Sequence, residues 1–135
     1  MVYFHNRVAR ITLHSGADYL HLHWGPGLHT DTALQHVMEQ VLGALQTHHW
    51  QKLLVSQQAE LPFSVEMQVW LQLDWRPRAL RAGYRYCALV QPPDLLSHMA
   101  LVDILHDQTA PWPRYYTGVS EEEARAWLRT QPHVA

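Results

Sequence analysis

Tyr19-Leu20-His21-Leu22-His23-Trp24-Gly25-Pro26-Gly27 alternates for six residues and then stops at a Gly-Pro-Gly stretch, the pattern of a strand that ends in a turn. A period of two puts Leu20, Leu22 and Trp24 on one face and Tyr19, His21 and His23 on the other. The leucine face is expected to meet the core. Upstream, Val8 to Leu13 alternates in the same way, and His14-Ser15-Gly16-Ala17-Asp18 between the two runs supplies a glycine-containing loop. Residues 8–24 therefore read as a β-hairpin.

Downstream, Thr30, Asp31 or Thr32 offers an N-cap. Ala33, Leu34, Val37, Met38, Val41, Leu42 and Leu45 then recur at helical spacing, one apolar stripe over about four turns. Lys52 to Ser56 is a short apolar run, as expected of a central strand. After Pro62, Ser64 is placed to cap a helix from Val65 to about Trp75. Pro77 is expected to disturb that helix and Gly83 to close it. Tyr84 to Val90 reads as a strand, Leu95 to His106 as a helix after Pro92-Pro93-Asp94, and Arg114 to Thr117 as a last short strand. Ser120-Glu121-Glu122-Glu123 is a capping box, and Ala124, Trp127 and Leu128 give the final helix its buried face. The order β-β-α-β-α-β-α-β-α predicts an α/β fold. Its mixed sheet would have about five strands with an N-terminal β-hairpin, right-handed crossovers and about four helices.

The 135 residues suit a single domain spanning 1–135, large enough to bury a core without disulfides or metal staples. Ten Lys and Arg, nine of them arginine, face twelve Asp and Glu, so no charge footprint for nucleic acid shows. No apolar run approaches the roughly 20 residues of a membrane span, and the N-terminal residues lack the apolar core of a signal peptide. One cysteine, Cys87, excludes an intramolecular disulfide and suits a cytoplasmic setting. The eleven histidines mean that mild acid would turn the chain net positive.

Several segments taken together resemble the SpoIIAA-like or STAS-like domains, the anti-sigma-factor antagonists, and most of all the small stand-alone versions of Bacteroidetes-type bacteria. They are Tyr19-Leu20-x-Leu22-x-Trp24-x-Gly, Lys52-Leu-Leu-Val, Trp70 to Trp75 before Pro77, Gly83-Tyr-x-Tyr-x-Ala88-Leu-Val and Glu123-Ala124-x-x-Trp127-Leu128. The likeness spans roughly residues 8–130. It implies a SpoIIAA-like sheet and a non-enzymatic regulatory or protein-interaction role, with a protein partner that includes a second copy of the chain. In that family a serine at the start of the helix after the third strand is phosphorylated by a kinase partner. The nearest position here is Ser64, where Leu61-Pro62-Phe63-Ser64-Val65 replaces the family's Asp-Ser-Ser-Gly-Leu. Ser64 thus reads first as a plain N-cap, although a phosphate there would meet free helix amides. The wider fold neighbourhood resembles CRAL-TRIO lipid-transfer domains, which makes a small-molecule or lipid carrier the alternative.

No complete catalytic set and no cofactor motif is legible. His21 and His23 supply two metal ligands on one strand face, with His14 the conceivable third; a metal site needs three or four. This is the least favoured reading, and no metal ligand is assigned. Ser56 lies at a strand end, where open α/β sheets form ligand pockets, but lacks a nucleophile elbow. Cys87 in mid-strand reads as a small buried hydrophobe. Trp75, Arg76, Arg78 and Arg81 form a candidate partner or anion patch, against which Asp74 and Arg78 read as an i,i+4 pair on a solvated face. Trp24, Trp70 and Trp127 are expected in the core, and Trp50, Trp75 and Trp112 along a groove or contact.

Overall fold

The computed structural model describes residues 1–26, 29–57, 63–92 and 112–134. Alternation from Ala9 to Trp24 produces two strands, β2 (Ala9–His14) and β3 (Tyr19–Trp24), after β1 (Val2–His5). β2 and β3 pair antiparallel in unbroken register, with Ala9 opposite Trp24 and His14 opposite Tyr19. Gly16 and Asp18 hold the positive φ angles of the turn, and the Asp18 carboxylate accepts from the Gly16 amide. Such side-chain-to-backbone bonds favour the residue in tight turns.

At the far end of β3, a Cβ on Gly25 would lie 2.8 Å from the Arg7 carbonyl oxygen. Only glycine lets the chain leave the sheet there, and its amide donates to Val8 O at 2.7 Å.

Beyond β3 the sheet turns parallel. α1 (Asp31–His48) leads to β4 (Lys52–Ser56), and a long helical crossover leads to β5 (Tyr86–Val90). β6 (Arg114–Gly118) and α4 (Glu121–Thr130) complete the chain. Six strands lie in sequence order, β1-β2-β3-β4-β5-β6, with β3 to β6 parallel. The fold is α/β with a mixed sheet and an antiparallel hairpin at its start. The helix expected from Leu95 to His106 lies outside the described residues.

β1 was not expected from the sequence. It is an edge strand paired only to β2, through a register irregularity between Val2 and Phe4, and its residues are mostly exposed. A strand with little apolar burial carries a weak periodic signal, because pairing rather than core packing holds it.

The second crossover runs as α2 (Val65–Trp70), a π-helical turn (Leu71–Trp75) and α3 (Arg76–Arg81). The disturbance expected at Pro77 is thus a widened turn just before the proline, and the helix continues beyond it. Proline lacks the amide an α-helix needs and its ring crowds the preceding turn, so a wider turn relieves the conflict. Gly83, with φ of +109°, then ends the segment.

Each face of the sheet has its own core. α1 and the second crossover cover Ile11, Leu20, Leu22, Trp24, Leu53 and Cys87. α4 covers the opposite face, where Tyr19, Leu54, Tyr86, Ala88 and Val90 meet Ala124 and Leu128. β5, covered on both sides, is buried at every position. Tyr84 precedes this strand and so escapes its alternation, joining Cys87 rather than Tyr86. Among the described residues, no helix is long and apolar enough to cross a membrane.

Candidate functional site

His21 and His23 project from β3 towards the α4 side of the sheet. Parallel register sets His23 beside Ser56 of β4, so the strand end that carries Ser56 adjoins the histidine row. Ser120 caps α4 by accepting from the Glu123 amide, and this entry geometry brings Glu121, the first helical residue, over the same strand ends. Ser56 Oγ donates to Glu121 Oε1 at 2.9 Å and lies 2.7 Å from His21 Nε2. Because the single hydroxyl proton goes to the carboxylate, His21 Nε2–H donates to Ser56. Arg125 binds the other carboxylate oxygen of Glu121 at 2.9 Å, and its Nε donates to the Tyr19 hydroxyl at 3.1 Å.

Burial favours the neutral imidazole of His21 and lowers its pKa to about 4, although the facing Glu121 carboxylate opposes the shift. Burial alone would raise the pKa of Glu121, but the Ser56 hydrogen bond and the charge of Arg125, joined by that of His21 once it is protonated, outweigh it and hold the carboxyl below its usual range. The result is a neutral imidazole beside an ionised carboxylate. An open groove of about 400 Å³, lined among others by His23, Ser56, Gln57, Gln91 and Glu121, gives access to the cluster. It lies at the carboxyl ends of parallel strands, where open α/β sheets bind ligands.

The cluster gathers residues that sequence spacing left apart. His21, His23 and Glu121 each offer a ligand atom, and these atoms all lie within 4.8 Å of one another. Sequence reasoning missed Glu121 because any carboxylate in the first turn of a helix is explained by the helix dipole. The signal that points to it is positional, since it directly follows the last parallel strand. His14 takes a different place, its ring stacked on Tyr19 at 4.5 Å between centroids and 6.0 Å from His21.

The other sequence candidates lie elsewhere. Ser64 caps α2, accepting from the Met67 amide at 3.0 Å and donating to Asp31 Oδ2 at 2.6 Å. A phosphate on Ser64 would have to displace that bond and face the Asp31 carboxylate. Ser64→Ala is expected to cost about 1 kcal/mol of stability, as loss of an N-cap usually does. Urea unfolding checks this; an unchanged midpoint would leave the serine without a structural role.

Trp75 does not join a surface patch with the arginines. It is buried, and its indole N–H donates to Met38 O at 2.8 Å. Arg78 is held by Glu39 and by Asp74 and lies over the Trp70 ring, so its charge is already matched. Arg76 lines a small cavity, and Arg81 lines a shallow groove with Arg78 and Glu39. Trp50 is also buried, whereas Trp70 and Trp127 are only partly so. Sequence neighbours mislead here because an indole reaches across the helix to a core set by tertiary packing. Cys87 is buried, which pushes its thiol up to about 12 despite a hydrogen bond with Tyr84, and an un-ionised thiol is a poor nucleophile.

No family model matches the chain, and neither a curated protein nor a solved structure matches it. The fold and the site therefore have to be read from their own geometry.

Proposed function

We propose that this chain is a protein-interaction module of the SpoIIAA-like, anti-sigma-antagonist type, working by contact rather than by turnover and self-associating as a homodimer. The observation that carries the reading is an exposed apolar row on the second crossover. Val65, Val69 and Leu73 are 70 %, 46 % and 73 % exposed, at intervals of four residues. Buried Met67, Leu71 and Trp75 hold the opposite side of the same segment against the core. Among the described residues this segment has already satisfied its core face, and an exposed apolar row of this kind marks a contact surface. Ser64, at the position where the resembled family meets its kinase, directly precedes the row. A second copy is the simplest occupant, because one row can meet its own image across a two-fold axis.

The alternative of a small-molecule carrier has a specific feature in its favour, an almost wholly apolar cavity between the helices and the sheet. It is lined by residues including Trp24, Leu53, Phe63, Leu71 and Trp75, and measures about 80 Å³. Ligand pockets usually reach about 300–1,000 Å³, which ranks the carrier second. Native mass spectrometry of the purified full chain separates the two. A bare dimer that Leu73→Glu converts to monomer supports the proposal. A monomer carrying co-purified ligand mass supports the carrier, and a bare monomer at tens of micromolar overturns self-association. Turnover abolished by changing a groove residue would overturn the non-enzymatic reading altogether.

A further inference from the structure

We propose that His21, His23 and Glu121 form a binding site for a divalent first-row transition-metal ion, with zinc the best match to this donor set. Two imidazoles and one carboxylate are the protein ligands of one group of zinc sites that keep a position open, and of the facial triad that holds non-haem iron. The three ligand atoms lie within 4.8 Å of one another, and His21 Nε2 is 3.8 Å from Glu121 Oε1. Ligands about 2.1 Å from one tetrahedral ion are roughly 3.4 Å apart. Closure thus asks for side-chain movements on the order of 1 Å.

The frame around these atoms is rigid. β3 is paired on both sides, and its pleat sets the two histidines on the same face, with ring centroids 6.1 Å apart. Arg125 takes Oε2 of Glu121, which leaves Oε1 aimed at His21. Ser56 Oγ already donates to Oε1, so the carboxylate has the outer hydrogen bonds typical of metal ligands. Binding would replace only the His21–Ser56 bond, with the imidazole proton moved to Nδ1. The charged and titratable neighbours are Arg125, His14 on the paired strand and Arg10, the register partner of His23. A remaining coordination position would open into the groove beside Gln57 and Gln91, accessible to water or to an oxygen ligand.

The test uses the untagged full chain after chelator treatment, titrated with zinc chloride by calorimetry, followed by the absorption spectrum of the cobalt(II) form. The expected result is one saturable equivalent at micromolar affinity or tighter, a rise in Tm, and cobalt bands of tetrahedral intensity. His23→Ala and Glu121→Gln should each weaken zinc binding at least about tenfold while circular dichroism stays native, since both side chains are partly exposed. Absence of saturable binding would overturn the site. So would binding that survives both substitutions, because the ion would then sit on others of the eleven histidines. Either failure leaves the proposed interaction role standing, since that role rests on a different surface.

Discussion

Replacing Leu128 with alanine is expected to destabilise the chain by about 2–5 kcal/mol, the range seen when buried leucines are truncated. Leu128 is fully buried and, with Ala124 and the partly buried Trp127, forms the apolar contact of α4 with the sheet, meeting a layer that contains Tyr19, Leu54, Tyr86 and Ala88. The neighbouring Trp127 is held against the rings of Tyr86 and Tyr116, which limits its freedom to refill the space. Since domains of this kind hold about 5–15 kcal/mol in all, a large share of the stability rests on this residue. Urea unfolding measures the loss, and Leu128→Met, which nearly conserves volume, should cost less than about 1.5 kcal/mol. Hydrogen exchange should also quicken across Glu121 to Thr130 in Leu128→Ala, because the helix loses its anchor before the sheet opens. Equal losses in the two variants would show that the contact is not set by packing.

Stability of the metal-free protein should fall by about 3 kcal/mol as the pH drops from 6.5 to 4, through His21 alone. The folded-state pKa, near 4, lies below the unfolded value of 6.5. Between these limits the unfolded chain holds the proton that the folded chain rejects, so stability rises with pH and is complete above the upper limit. The side chain is only 12 % exposed, which keeps solvent screening slight. Other groups also lose stabilising charge on acidification, Glu121 among them because its pKa is lowered, so the comparison is with His21→Leu. That variant leaves Ser56 free to keep donating to Glu121 and should show a flatter profile over the window. Chemical denaturation at several pH values in the presence of chelator provides the check. Parallel profiles for the two proteins would mean that His21 ionises as freely as in the unfolded chain.

Where stabilisation is local, the residues announce it. Of the three residues offered for the first helix Thr30 is the N-cap, and Ser64 and Ser120 cap theirs as expected, each accepting from the amide three positions on. The alternation of residues 9–24 gives both strands and the correct core face, because a strand in a sheet with a buried face has only one acceptable phase. The same logic fails for β1, whose exposed residues leave little burial to read, and for Trp75, whose polar neighbours conceal a buried indole. Helix Asp31–His48 ends at His49 in the left-handed conformation with φ of +55°, although the apolar stripe shows only that a helix ends near there.

By itself the sequence determined the α/β class, the hairpin, the core face of its second strand and the caps that start the helices. All of these depend on residues within a few positions of one another, where periodicity and backbone hydrogen bonding act. Only the tertiary structure decided that Glu121 stands beside His21 and His23, across about a hundred residues. That meeting depends on three parallel strand registers and on which sheet face α4 covers, and no local pattern encodes either. Two histidines on one face of a strand were legible in the sequence; packing α4 on the sheet brings a carboxylate beside them and with it the metal binding proposed for the three.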